Sequence, residues 1–209
     1  MRWLTTNLKF PPVDEATEDG LLAVGGDLSI ERLVLAYRNG IFPWYSEESP
    51  ILWWSPDPRF ILFPKELKVS KSMRQFMRKS NLKITFNQDF DSVIEECAGM
   101  ERPGQGGTWI TDEMLNSYKQ LHRRGIAKSV EAYENDILVA GLYGIDLGNG
   151  VFCGESMFTK KSNASKAAFI HFVKNSDYKI IDCQVYTPHL ESLGAREIPR
   201  SKFLKYLKG

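Results

Sequence analysis

The chain has 209 residues, 43% hydrophobic and 25% charged, with a formal net charge of +1 at pH 7. That is apolar material for one globular domain or two modest ones, and it excludes a disordered chain and a surface that coats polyanions over its whole area. The first twenty residues hold no apolar run of signal-peptide length, and no later stretch reaches the roughly 18 apolar residues needed to span a bilayer, so a cytoplasmic protein without membrane association is expected.

In chain order, DGLLAVGGDLS reads as a glycine-rich turn, after which Ser29 caps a helix that carries Leu33, Val34 and Tyr37 and stops at Gly40. From Gly40 to Phe60, GIFPWYSEESPILWWSPDPRF gathers three tryptophans, four prolines, a tyrosine and two phenylalanines. A plain core would be built from alternating or helically spaced aliphatic residues, so this proline-broken stretch reads instead as a rigid aromatic wall beside a ligand. FILF then reads as a strand, and Ser70 opens a helix with Met73, Phe76 and Met77 on its apolar side. Lys71, Arg74, Arg78 and Lys79 make that helix basic, either as a solvated face or as a set of phosphate contacts.

From Leu82 the order is a strand (KITF), a helix (DSVIEECA), a glycine-rich loop (RPGQGG) and a helix from about Thr111 to Gly125. KSVEAY, ILVAGLYGI and VFCGESMF follow, joined at Glu134–Asp136 and at DLGNG, and predict consecutive antiparallel hairpins. A helix from about Ala164 to Val173 and the strand IIDCQVY complete an α+β fold.

Chemistry-bearing residues stand out in the last two strands. Alternation along IIDCQVY puts Asp182 and Gln184 on one face and Ile181, Cys183 and Val185 on the other. The two polar groups either hydrogen-bond to neighbouring loops or serve a site, since each left unpartnered in a buried strand costs about 1–3 kcal/mol. Glu155 in GESMF poses the same alternative: it pairs with a basic neighbour or faces a cavity. Cys97, Cys153 and Cys183 lack CxxC spacing and an accompanying histidine, so they read as buried thiols; His122, His171 and His189 are scattered, and no metal is expected. The helix SNASKAAFI after a meander strand is similar to the acyltransferase fold that seats the pyrophosphate of acetyl-CoA on a helix N-terminus, but KKSNASKAA lacks the glycines of that loop.

Nine segments in order along nearly the whole chain, GLLAVGGDLS, GIFPWYS, ILWWSPDPR, GTWIT, GLYG, FCGESMF, NASKAA, IDCQ and HLESLGAREIPR, together resemble the leucyl/phenylalanyl-tRNA-protein transferases. The resemblance implies a small N-terminal α/β domain over residues 1–58 that contributes the aromatic wall. Over residues 59–209 it implies an acetyltransferase-like (GNAT-like) domain with a largely antiparallel central sheet. It further implies an enzyme that moves Leu or Phe from the 3' end of Leu-tRNA or Phe-tRNA onto the N-terminal Arg or Lys of a protein, marking it for degradation. A monomer working without a cofactor is expected.

Carried onto this chain, the resemblance makes Trp44 and Trp109 the holders of the 3'-terminal adenosine, whose flat base suits an aromatic contact. It makes Leu142, Phe152, Phe169 and Ile181 the pocket for the Leu or Phe side chain, and Lys71, Arg78 and Lys79 the tRNA-facing cations. Glu155, Asp182 and Gln184 become the catalytic group: an acid holds the acceptor's positive charge, and Gln184 orients its amine through the amide carbonyl. Because an aminoacyl ester is already activated, positioning does most of the work. Two other readings compete, a CoA-dependent N-acetyltransferase and a noncatalytic module that binds aminoacyl-tRNA or N-degrons. The missing glycine loop counts against the first, and the three polar residues count against the second.

Overall fold

The computed structural model describes residues 2–100 and 110–208, so the RPGQGG loop and Trp109 lie outside the described residues. Strands β1 (Arg2–Leu4), β2 (Leu21–Gly25), β3 (Phe42–Pro43) and β4 (Leu52–Trp54) form a four-stranded sheet in the order β1-β2-β4-β3. Strands β5 (Arg59–Leu62), β6 (Lys83–Phe86), β7 (Ala127–Glu134), β8 (Ile137–Asp146), β9 (Val151–Thr159), β10 (Ile180–Gln184) and β11 (Arg196–Ile198) form a second sheet in the order β11-β5-β10-β9-β8-β7-β6. Every neighbouring pair in that second sheet is antiparallel except β9 and β10. Helices α1 (Ile30–Arg38), α2 (Lys71–Lys79), α3 (Phe90–Ala98), α4 (Asp112–Arg123), α5 (Ala164–Lys174), α6 (Pro188–Glu191) and α7 (Arg200–Leu207) flank the sheets. The molecule is thus α+β, with an antiparallel meander from β6 to β9, a helical crossover through α5 and a returning parallel strand.

Local chemistry explains the helix starts. Ser29, Ser70, Asp89 and Thr111 accept a hydrogen bond from the backbone N–H three residues on, in α1, α2, α3 and α4 respectively. The DGLLAVGGDLS segment departs from the turn expected of it, because its apolar run is strand β2, with Leu22, Ala23 and Val24 buried. Covered on both faces, such a strand shows no polar alternation, and the positive φ angles of Gly25 and Gly26 mark only its end. Strand β10 is shorter than IIDCQVY suggests: Gln184 takes a φ of 64°, and Val185 N–H turns back to the Cys183 carbonyl at 2.8 Å.

The larger sheet is buried on both faces. On one, Tyr143, Val151, Cys153 and Ile180 pack with α1, α3, α4, α7 and Trp53 of the smaller sheet; on the other, Leu142, Phe152 and Ile181 pack with α5 and with Met73 of α2. Register shifts leave Glu155 unmatched opposite β8 and Cys183 unmatched opposite β5. The β9–β10 ladder runs only from Val151↔Ile180 to Cys153↔Asp182, and beyond it the two strands part. Gly144 makes room there, since a Cβ on it would stand 2.3 Å from the Cys153 carbonyl oxygen and 2.5 Å from the Phe152 ring.

Among the described residues no helix is long and apolar enough to cross a membrane, and no group of three or more His, Cys, Asp or Glu is placed to hold a metal ion. Gly144→Ala is expected to destabilise the fold by about 3 kcal/mol, the upper part of the overpacking range, because its main obstacle is backbone. Urea unfolding of the variant measures this; a midpoint equal to that of the wild type contradicts the close approach.

Candidate active site

The parting of β9 and β10 opens a cleft of about 610 Å³. Leu142, Phe152, Phe169 and Ile181 all line it, as do Trp44, Glu155, Asp182 and Gln184. Four elements supply the apolar wall: β8, β9 and β10 each present one residue from the face of the sheet that α5 covers, and α5 itself adds Phe169.

Trp44 also lines the cleft, and its neighbours hold it in place. The Trp54 indole donates to the Trp44 carbonyl at 2.6 Å, and the two rings lie 5.9 Å apart at 57°. Trp53 is a packing group: fully buried, it donates to the Gly25 carbonyl at 2.8 Å and meets the Phe10 ring edge-on at 4.9 Å. The aromatic stretch therefore divides its labour, with Trp53 in the core, Trp54 as a brace and Trp44 at the cleft.

Alternation alone would leave Asp182 and Gln184 as two polar groups open to the cleft. Instead, Asp182 is fully buried, and Arg59 of β5 donates to both its oxygens, from Nε to Oδ1 at 2.7 Å and from Nη2 to Oδ2 at 2.6 Å. The Gln184 backbone N–H also donates to Oδ1, at 3.0 Å. Asp182 thus anchors the bend that presents Gln184. Arg59 is itself enclosed: Nη1 donates to the Gly40 carbonyl at 3.3 Å, and the guanidinium lies 4.8 Å from the ring centres of both Phe42 and Phe203. Burial works against its charge, but Asp182 more than compensates and raises its pKa above the usual arginine value.

The Gln184 side chain reaches across the opening, its Nε2 donating to Glu155 Oε1 at 2.8 Å. Glu155 Oε2 accepts from the Tyr118 hydroxyl at 3.1 Å. Of the two alternatives for this acid, it faces the cavity; among the described residues its hydrogen-bond partners are neutral. Burial pushes its pKa up to about 7; the Tyr37 and Tyr118 hydroxyls and the Gln184 amide pull the other way, and the Asp182 charge adds to the rise. A carboxylic acid half-ionised near neutrality can take up and release a proton at working pH.

Cys183, expected on the face opposite Gln184, also lines the cleft beside Ile181. Burial, followed by the Asp182 charge, pushes its thiol far above the usual range, and Cys153 is raised in the same way. Neither is a thiolate nucleophile at neutral pH. His189 lines the cleft too, held below the ordinary histidine range by burial and by Lys166.

On the exposed surface of α2, Lys71, Arg78 and Lys79 stand free. Among the described residues none of them is in an ion pair. Sequence reasoning missed Arg59, Tyr37 and Tyr118. Arg59 left one sign, a cation opening an otherwise apolar strand, RFIL, in a chain with an acid in another apolar strand. The tyrosines left none, because their helical spacing reads as core.

An α+β sheet whose splayed strands hold an apolar pocket, a tunable carboxylate and an oriented amide is the framework of an acyl-transfer enzyme. The chain belongs to the leucyl/phenylalanyl-tRNA protein transferases, an aminoacyltransferase family: the model of that description matches residues 61–208, and that of its N-terminal domain matches residues 26–57. The leucyl/phenylalanyl-tRNA–protein transferase of Flavobacterium johnsoniae is 58% identical, over 100% of this chain and 99% of its own. That of Flavobacterium psychrophilum is 57% identical over 100% of both, and that of Syntrophobacter fumaroxidans 56% identical over 98% of this chain and 88% of its own. A solved GCN5-related N-acetyltransferase from Kribbella flavida superposes at a TM-score of 0.40 with 10% identity, covering 78% of this chain and 58% of that one, too distant to bear on the chemistry. The readings as a CoA-dependent acetyltransferase or a noncatalytic module are not favoured.

Removing one partner of the buried ion pair should show its structural weight. Arg59→Met strands the Asp182 carboxylate in the interior and is expected to cost about 3–5 kcal/mol, while Arg59→Met combined with Asp182→Leu recovers most of that loss. Equilibrium unfolding of both variants measures the difference; a double variant no more stable than the single one contradicts the pairing.

Proposed function

We propose that this protein transfers Leu or Phe from the 3' end of Leu-tRNA or Phe-tRNA to the N-terminal Arg or Lys of an acceptor protein in the cytoplasm, and so marks that protein for degradation. The observation that carries this reading is the cleft itself, where an apolar wall and the Glu155–Gln184 pair meet in one space. The Leu or Phe side chain lies against Leu142, Phe152, Phe169 and Ile181. Trp44, partnered in this reading by Trp109, holds the terminal adenosine, and Lys71, Arg78 and Lys79 steer the tRNA phosphates. Residues 1–58 act as the unit that carries the aromatic wall, and residues 59–209 as the transfer domain.

In the reaction the neutral amine of the acceptor attacks the ester carbonyl carbon. A C–N bond forms, the C–O bond to the ribose breaks, the nitrogen gives up one proton, and the departing ribose oxygen gains one. Glu155 takes the amine's proton as its carboxylate. Gln184 spends its N–H₂ on Glu155, which leaves its carbonyl oxygen to accept from the amine and orient it. Asp182 acts through Gln184, by fixing its backbone.

The direct test incubates the protein with labelled aminoacyl-tRNA and an Arg-initiated peptide, without CoA or ATP. Label from Leu and Phe should reach the peptide and disappear after ribonuclease treatment of the tRNA, whereas Ala and Asp on the same tRNA body should transfer at least about tenfold less, since each buried methylene is worth roughly 1 kcal/mol. Transfer from acetyl-CoA alone, or equal use of Ala, Leu and Asp, defeats this reading.

The cations are tested separately. Neutralising Lys71, Arg78 and Lys79 together should raise KM for the tRNA and reduce the slope of log affinity against log salt by about 2–3, as expected for three lost phosphate contacts. An unchanged slope returns α2 to an ordinary solvated face.

A further inference from the structure

Behind Glu155, away from the cleft, lies a pair of phenols. Tyr118 of α4 is fully buried and donates to Glu155 Oε2, while its own oxygen shares a short hydrogen bond with the hydroxyl of Tyr37, from α1, which is also buried. Neither residue lines the cleft. Phenylalanine would fill the same space in this apolar interior, so the hydroxyls matter only for what they bond. The chain they form, Tyr37–Tyr118–Glu155–Gln184, draws on α1, α4, β9 and β10 and surfaces at the cleft only at its last two members.

We propose that Tyr118, backed by Tyr37, is a positioning residue for the transfer reaction, clamping one oxygen of Glu155 so that its carboxylate faces the cleft beside Gln184, ready to take the amine's proton. This rests on the reading of Glu155 given above. A phenol that donates to a carboxylate favours the ionised form. Burial first, and then the Glu155 charge, push both phenols well above their ordinary pKa, so each remains a protonated donor throughout the working range. With Tyr37 donating to the Tyr118 oxygen, the Tyr118 hydroxyl is polarised toward Glu155. Around Glu155, the Asp182 charge opposes ionisation and Gln184 favours it, while Arg59 and Cys153 feel its charge from farther along β5 and β9. Without the phenol, burial and Asp182 are less opposed, and Glu155 holds its proton to higher pH.

The experiment titrates Glu155 directly. In the full chain labelled with ¹³C-glutamate, the Glu155 carboxyl resonance is assigned by its loss in Glu155→Gln and followed against pH, alongside the pH profile of kcat for Leu transfer. Tyr118→Phe should move the midpoint up by about half to one pH unit, three- to tenfold in the ionisation constant, and Tyr37→Phe should move it in the same direction. The ascending limb of kcat should move with it, while KM for the tRNA stays constant. An unmoved midpoint in Tyr118→Phe overturns the inference. If that variant does not fold, the Tyr37→Phe/Tyr118→Phe double variant leaves no phenol unpaired and gives the same readout. A midpoint that moves while the kcat profile stays fixed upholds the clamp and counts instead against Glu155 as the proton acceptor.

Discussion

The ion pair between Arg59 and Asp182 is the contact on which the rest depends. Two fully buried charges survive only if each satisfies the other, and here two parallel hydrogen bonds of 2.7 and 2.6 Å do so. Arg59 is also where the two sheets meet. It stands on the larger sheet, bonds to the carbonyl of Gly40 beyond the end of α1, and lies between Phe42 of the smaller sheet and Phe203 of α7. Asp182 carries this fixed point to the Gln184 backbone, two residues on. A rigid interior is thereby connected to the Gln184 side chain, which bonds Glu155 across the opening.

The cleft follows from two irregularities side by side. Glu155 is the extra residue in β9 and Cys183 the extra residue in β10, and the parallel ladder between these strands ends just before them. Bulged strands twist and diverge. Here the divergence exposes the apolar face over α5 on one side and the edge of a buried polar network on the other. A pocket made this way brings apolar and polar parts together directly, because β9 and β10 each contribute to both: Phe152 and Ile181 to the wall, Glu155 and Gln184 to the polar pair.

Much of this was legible in the chain. Cap residues at Ser29, Ser70 and Thr111, turn residues between the hairpins and apolar runs located α1, α2, α4 and the meander from β7 to β9, since those signals act over a few neighbouring residues. Strand β2 was illegible, because a strand buried on both faces carries no alternation and its flanking glycines mimic a turn. Of the residues named for the site, Glu155 and Gln184 form a direct hydrogen bond and the four apolar residues share one wall. Asp182 was legible as an important polar residue but not as a buried one, because its partner lies 123 positions earlier in the chain.

What the sequence determined by itself was the family, the α+β class and the residue types that must cluster, all of which are written in ordered motifs and local periodicities. The tertiary structure alone decided which acid is spent in a buried ion pair and which stands at the edge of the cleft with neutral partners. Asp182 and Glu155 are both acids in apolar strands, and nothing local separates them. Arg59 lies against one, so it stays paired and enclosed; the other is bonded by neutral groups, whose hydrogen bonds only partly offset the burial that pushes its pKa up to about 7 at the edge of the cleft. That difference is set by which side chains the fold brings within about 3 Å, a distance no spacing along the chain encodes.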